Sequence, residues 1–106
     1  MRIVLAMTAV AALTISASAQ DMKSIQTATE LGSVLASEEL CKLSFDQAAI
    51  AAYIEANVAA DDMSFPSTLT MMISGSEYQL SSLSGSALTA HCTQIARIAK
   101  SYNFVQ

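Results

Sequence analysis

His91 and Cys92 are the first residues to test for chemistry, because an imidazole beside a thiol suggests a nucleophile and its base. Consecutive residues on a helix point about 100° apart, so this pair does not converge. A sulfur held in a disulfide is also no nucleophile. The reading is a structural Cys92 and an exposed or half-buried His91. One His and two distant Cys match no zinc spacing. Met63, Met71 and Met72 suggest a soft copper site with His91, but adjacent Met71 and Met72 cannot face one point on a helix. Packing is the plainer role for those thioethers. Asp61 and Asp62 read as a helix-capping turn rather than paired acid–base carboxylates. No Ser-His-Asp arrangement around a Gly-rich elbow, phosphate loop or calcium loop is present in the sequence. The expectation is a protein that is not an enzyme and carries no cofactor or metal.

The elements that would position these residues begin after a targeting segment. Met1-Arg2 is a short positive start, Ile3–Ile15 is apolar, and Ala17-Ser18-Ala19 is an A-x-A cleavage motif. The apolar run is short for the roughly 20 residues that span a bilayer. The expected organisation is therefore a signal peptide at 1–19 and a single domain at 20–106, exported to the periplasm of a Gram-negative bacterium or secreted, with no stable membrane anchoring after cleavage. The mature chain holds four basic residues (Lys23, Lys42, Arg97, Lys100) against nine acidic ones, a net of −5. That balance, without a basic stripe, argues against a nucleic-acid partner.

A domain this small benefits from a staple. Cys41 and Cys92 in an exported chain provide one, and closing so long a loop is worth about 4 kcal/mol in the chain-entropy picture. An intermolecular bridge is the alternative. Leu88, Cys92, Ile95, Ala99 and Tyr102 recur at helical steps and line one face of a final helix capped by Ser84 or Ser86. Upstream, a loose helix runs from Gln20 to about Ser37, with Gly32 as a weak point. Ser37-Glu38-Glu39 opens a short helix to Leu43. Ser44-Phe45-Asp46-Gln47 is a capping box for a helix ending near Ala60, with Phe45, Ala49, Ala52, Tyr53 and Ala56 as its stripe. A further helix runs from about Phe65 to Leu80 or Ser82 with Pro66 in its first turn, with Phe65, Leu69, Met72, Ile73, Tyr78 and Leu80 facing inward and a bend or break at Gly75. Phe104 folds back onto the core. No sustained period-two alternation occurs. The fold class is all-α, a small bundle of four or five short helices, its antiparallel neighbours joined by short turns and stapled by one disulfide.

The local strings E-E-L-C (Glu38–Cys41) and A-H-C-T-Q (Ala90–Gln94), around two cysteines about fifty residues apart, resemble the HdeA-type periplasmic acid-stress chaperones. The chain also looks like short exported alphaproteobacterial proteins carrying Y-I-E-x-x-V, D-D-M-x-F and H-C. The first resemblance implies a stress-response chaperone that opens at low pH and exposes apolar surface to protein clients, with a homodimer as the neutral-pH form. Glu38, Glu39, Asp46, Asp61, Asp62 and His91 are then the pH-sensitive candidates. Met63, Leu69, Met71, Met72 and Ile73 are the candidate client surface. The competing expectation is a constitutive binding or envelope-structural module using an apolar groove between helices.

Overall fold

The computed structural model describes residues 15–106, with side chains from residue 21 onward. The apolar stretch of the expected signal peptide, through residue 14, lies outside the described residues. Four helices follow in order, α1 (Ile15–Ala36), α2 (Gln47–Asn57), α3 (Phe65–Leu80) and α4 (Gly85–Ser101). No strand occurs among the described residues. The expected cut after Ala19 falls inside α1.

The centre of the fold is the contact between α1 and α3. Ala28, Gly32 and Ala36 repeat every four residues along α1, and all three are buried. Even alanine's side chain would fit at Gly32 only if the helices shifted, because an added Cβ would meet the Met72 Cβ at 2.8 Å. Gly32 is thus the point of closest approach rather than a weak point in the helix, and it lets Met72 lie directly on the α1 backbone. The two helices run in the same direction. Ser24 meets Asp62 at one end, and Ala36 shares a cleft with Leu80 at the other. These neighbours are therefore parallel, not antiparallel, and the 37–64 segment carrying α2 is the return connection between them.

The expected short helix at Ser37–Leu43 is a single helical turn that continues α1 and then stops. The Cys41 amide donates to the Ser37 carbonyl at 2.9 Å, and Lys42 turns left-handed at φ 56°. The Leu43 and Lys42 amides donate back to the Glu38 and Glu39 carbonyls, which closes the turn. The end of α4 repeats this device. Asn103 sits at φ 63°, and the Phe104 and Asn103 amides donate to the Ala99 and Lys100 carbonyls. That reversal drives Phe104 into the core, where it is fully buried. Burying a ring of this size is worth roughly 1.5–3 kcal/mol.

Phe104 is ringed by Phe45, Tyr53 and Tyr102, with centroids 5.7, 5.8 and 5.5 Å away. Around it lie buried Ala28, Leu31, Val34, Phe65, Ile95 and Ala99. The expected inward face of α4 holds: Ile95 and Ala99 are buried, and Leu88, Cys92 and Tyr102 are half-buried. The cysteines form the expected intramolecular disulfide, with Cα atoms 5.3 Å apart.

Several local expectations are corrected. The cap of α2 is Asp46, whose carboxylate accepts from the Ala48 amide at 2.9 Å, so Ser44 does not open a capping box. That helix ends at Asn57, contains no buried residue, and leaves Ala52 and Ala56 exposed. Gly75 does not break α3, which is continuous, and Tyr78 points to solvent at 83% exposure because its position lies opposite the α1-facing side. Ser84 precedes α4 without a side-chain cap, and the chain enters that helix through Gly85 at φ +56°.

Candidate functional site

Three of the candidate carboxylates, Glu38, Asp46 and Asp62, stand at the two ends of the α2 connection. At the leading end, the Glu38 carboxylate accepts from the Phe45 amide at 2.8 Å. Asp46 caps α2 one residue later, and its own amide donates to the Phe104 carbonyl at 2.8 Å. At the trailing end, Asp62 accepts from the Ser24 hydroxyl at 2.6 Å on one oxygen and from the Ser64 hydroxyl at 2.8 Å on the other. Those two hydroxyls, with further help from the Phe65 and Ser64 amides, hold the Asp62 carboxyl below its ordinary range. Asp62 therefore ties the start of α3 to α1. Ser64, the formal cap residue, makes no side-chain bond to the helix.

The connection is flanked by a polar cleft of about 330 Å³, lined by Asp21, Lys23 and Ser24 of α1 and by Asn57–Ala59, Asp61 and Asp62. Asp61 is exposed at its rim. A second cleft of about 440 Å³ opens at the other end of the α1–α3 pair, between Ala36, Leu40 and Leu80, with Glu39, Glu77 and Ser81 also lining it. Of the six pH-sensitive candidates, Glu38, Asp46 and Asp62 thus serve the α2 connection, while Glu39 belongs to this second cleft.

His91 makes a contact that sequence spacing did not suggest. Its Nε2 lies 2.8 Å from the Ser37 hydroxyl, and Ser37 is fully buried beside the disulfide. The Ser37 hydroxyl proton goes to the Ser33 carbonyl at 2.8 Å. With that proton on the Ser33 carbonyl, the Ser37 oxygen accepts from an Nε2–H tautomer of His91. A Ser–His pair of this kind is also no accessible nucleophile, because Ser37 Oγ has no surface to offer a substrate. Its role is to hold the end of α1 against α4, next to the Cys41–Cys92 bridge. The signal that could have found it is the i−4 spacing of Ser33 and Ser37, which lets a serine bond back into its own helix.

The expected client residues do not share a face. Met63 and Met71 are exposed at 82% and 64%, whereas Leu69 and Met72 pack against the core and Ile73 is half-buried. Tyr53, half-buried on α2, stacks on Tyr102 with centroids 4.7 Å apart. Burial first, then the Tyr102 hydroxyl and the nearby Glu30 charge, push the Tyr53 phenol up to about 12. No group of three or more His, Cys, Asp or Glu side chains among the described residues is arranged to hold a metal ion. No helix among the described residues is long and apolar enough to cross a membrane. No family model matches the chain, and neither a curated protein nor a solved structure matches it.

Proposed function

We propose that this is a small exported, non-enzymatic helical protein that protects periplasmic proteins in acid by exposing apolar surface at low pH. The observation that carries the reading is the placing of three carboxylates, Glu38, Asp46 and Asp62, as hydrogen-bond acceptors at the points where α2 and α3 begin. Charged acceptors make stronger bonds than neutral ones, so neutralising them weakens several element starts together. For Asp62 the direction is explicit. Its folded pKa lies below the ordinary 3.8, so its stabilising effect is present above that value and is lost as pH falls through the folded pKa. The intramolecular disulfide supports export, since such bonds persist in oxidising compartments. Cleavage after Ala19 would leave the whole core-forming part of α1 in the mature chain, whose first buried residues are Thr27 and Ala28.

The test is to bring an acid-labile protein to pH 2–3 with and without the purified chain and to follow light scattering. Suppressed aggregation at pH 3 and none at pH 7 is the expected pattern; undiminished aggregation overturns the reading. A second reading, a constitutive binding module, is favoured by the cleft between α1 and α3. Its lining joins Leu40 and Leu80 to two carboxylates, which suits a ligand with an apolar stem and a cationic end. Saturable binding of a long-chain alkylamine at pH 7, lost in Leu80→Lys, would support that module in place of the acid chaperone.

A further inference from the structure

We propose that Tyr53 and Tyr102 form an oxidative cross-linking site, where a haem peroxidase charged by hydrogen peroxide joins the two phenol rings through their ortho carbons and fastens α2 covalently to the end of α4. This site stands whether or not the protein acts in acid.

The two rings already lie against each other, with centroids 4.7 Å apart and planes 37° apart. Tyr53 comes from the body of α2, and Tyr102 is the residue that ends α4. Their hydroxyl ends lie together, because the Tyr102 hydroxyl is one of the groups that raise the Tyr53 phenol. The ortho carbons flank the carbon that bears each hydroxyl, so the carbons that carry spin in a phenoxyl radical sit at the touching edge. Phe104 backs both rings from the core side, 5.8 Å from Tyr53 and 5.5 Å from Tyr102. It has no hydroxyl proton to lose and does not compete for the coupling. Both tyrosines are half-buried, so an electron and a proton can leave to solvent while packing holds the rings in place.

Composition directs a one-electron oxidation to the phenols. The chain has three Tyr and no Trp, and both cysteines are held in the disulfide. Indoles and free thiolates give up an electron more readily than a phenol, and neither is present here. The third tyrosine, Tyr78, is exposed on the side of α3 that faces away from α1, so a radical there couples between molecules. The exposed thioethers of Met63 and Met71 react with peroxide differently, gaining an oxygen atom to become sulfoxides.

The step balances. Each phenol gives one electron and its hydroxyl proton to the oxidised haem, and the two phenoxyl radicals couple through one new bond between ortho carbons. Each coupling carbon then releases its hydrogen as a proton, and each oxygen takes one up, which restores both aromatic rings. In sum two C–H bonds break and one C–C bond forms, while one hydrogen peroxide accepts two electrons and two protons and leaves as two waters. The product fastens the helix that has no buried residue of its own. With Cys41–Cys92 it closes residues 41–53 and 92–102 into one covalent ring, which restricts the unfolded chain further.

The test treats the full disulfide-bonded chain, kept dilute, with a haem peroxidase and hydrogen peroxide. The expected product is a monomer lighter by two hydrogens, with dityrosine fluorescence, a Tyr53 peptide joined to a Tyr102 peptide after digestion, and a higher urea midpoint. Tyr53→Phe and Tyr102→Phe keep a ring in the stack and should each abolish that monomeric product, whereas Tyr78→Phe should leave it. With the disulfide reduced in urea the yield should fall by about tenfold or more, because the coupling depends on held geometry. Dityrosine confined to covalent dimers, a monomeric cross-link that includes Tyr78, or an equal yield from the unfolded chain overturns the proposal. Peptide mapping of the wild type decides the matter if a phenylalanine variant does not fold.

Discussion

Gly32→Ala is the substitution whose sign most directly tests the packing of α1 on α3. In an isolated helix the change is favourable by about 1 kcal/mol, because alanine loses less backbone freedom and is the better helix former. Here the new Cβ would lie 2.8 Å from the Met72 Cβ and 3.3 Å from both the Ile73 amide nitrogen and the Met72 carbonyl carbon. None of these atoms sits at the end of a flexible side chain, so relief requires α1 and α3 to move apart along their shared face. Overpacking of a rigid contact costs typically 1–3 kcal/mol, and three backbone-proximal atoms place this case near the top of that range. Subtracting the propensity gain leaves a net loss of about 2 kcal/mol. For a domain of this size the melting temperature falls by roughly 10 °C. Gly75→Ala is the matched control, since nothing lies within 4 Å of a Cβ added there and the residue sits inside a continuous α3. It should stabilise the protein by about 1 kcal/mol. Urea denaturation of the two oxidised variants reads both signs in one experiment. If both substitutions shift the midpoint upward, the close approach of the helices is not as described.

Replacing Cys41 and Cys92 together with serine should lower stability by about 4 kcal/mol and steepen the urea dependence, because the unfolded chain loses its closed loop. Lys42→Gly should stabilise by about 1 kcal/mol and Asn103→Ala should destabilise by a similar amount, since both positions are left-handed and only glycine adopts that geometry freely. Ser37→Ala should cost about 1–2 kcal/mol by leaving the His91 Nε2–H without its partner. Nitrogen NMR of the imidazole should show the Nε2–H tautomer in the wild type and a mixture in the variant, and a wild-type Nδ1–H tautomer would contradict the bond direction deduced from Ser33.

The parts of this fold that could be read from residues alone are those whose cause is local. The inward face of α4 follows from the three- and four-residue steps of Leu88, Cys92, Ile95 and Ala99, and α3 starts where Pro66 permits a first turn. The Cys41–Cys92 bridge followed from there being two cysteines in a chain expected to be exported. Gly32 was misjudged because its value depends on Met72, forty residues later, and helix propensity records only what glycine costs its own helix. Ser37 was misjudged for a related reason. A serine followed by two glutamates has the composition of a helix start, but Ser33 one turn earlier gives its hydroxyl a backbone acceptor and His91 gives it a donor. Tyr78 was placed inward on hydrophobicity alone, although the side of α3 that carries it faces away from α1.

The carboxylates share a pattern that bears on function. Each carboxylate with a defined task, Glu38, Asp46 or Asp62, holds a backbone amide or a hydroxyl at the edge of the α2 connection, whereas the buried frame is held by packing, a disulfide and a serine–histidine bond. Burial contacts do not depend on a proton, whereas the Asp62 carboxyl, held below its ordinary range by the Ser24 and Ser64 hydroxyls, loses its stabilising effect as pH falls through its folded pKa. An acid response spread over the frame would have required ionised groups inside it. None of the residues that form the buried hydrophobic cluster is ionisable, so the carboxylates act on that cluster only from its edge, as Glu38 does through the Phe45 amide.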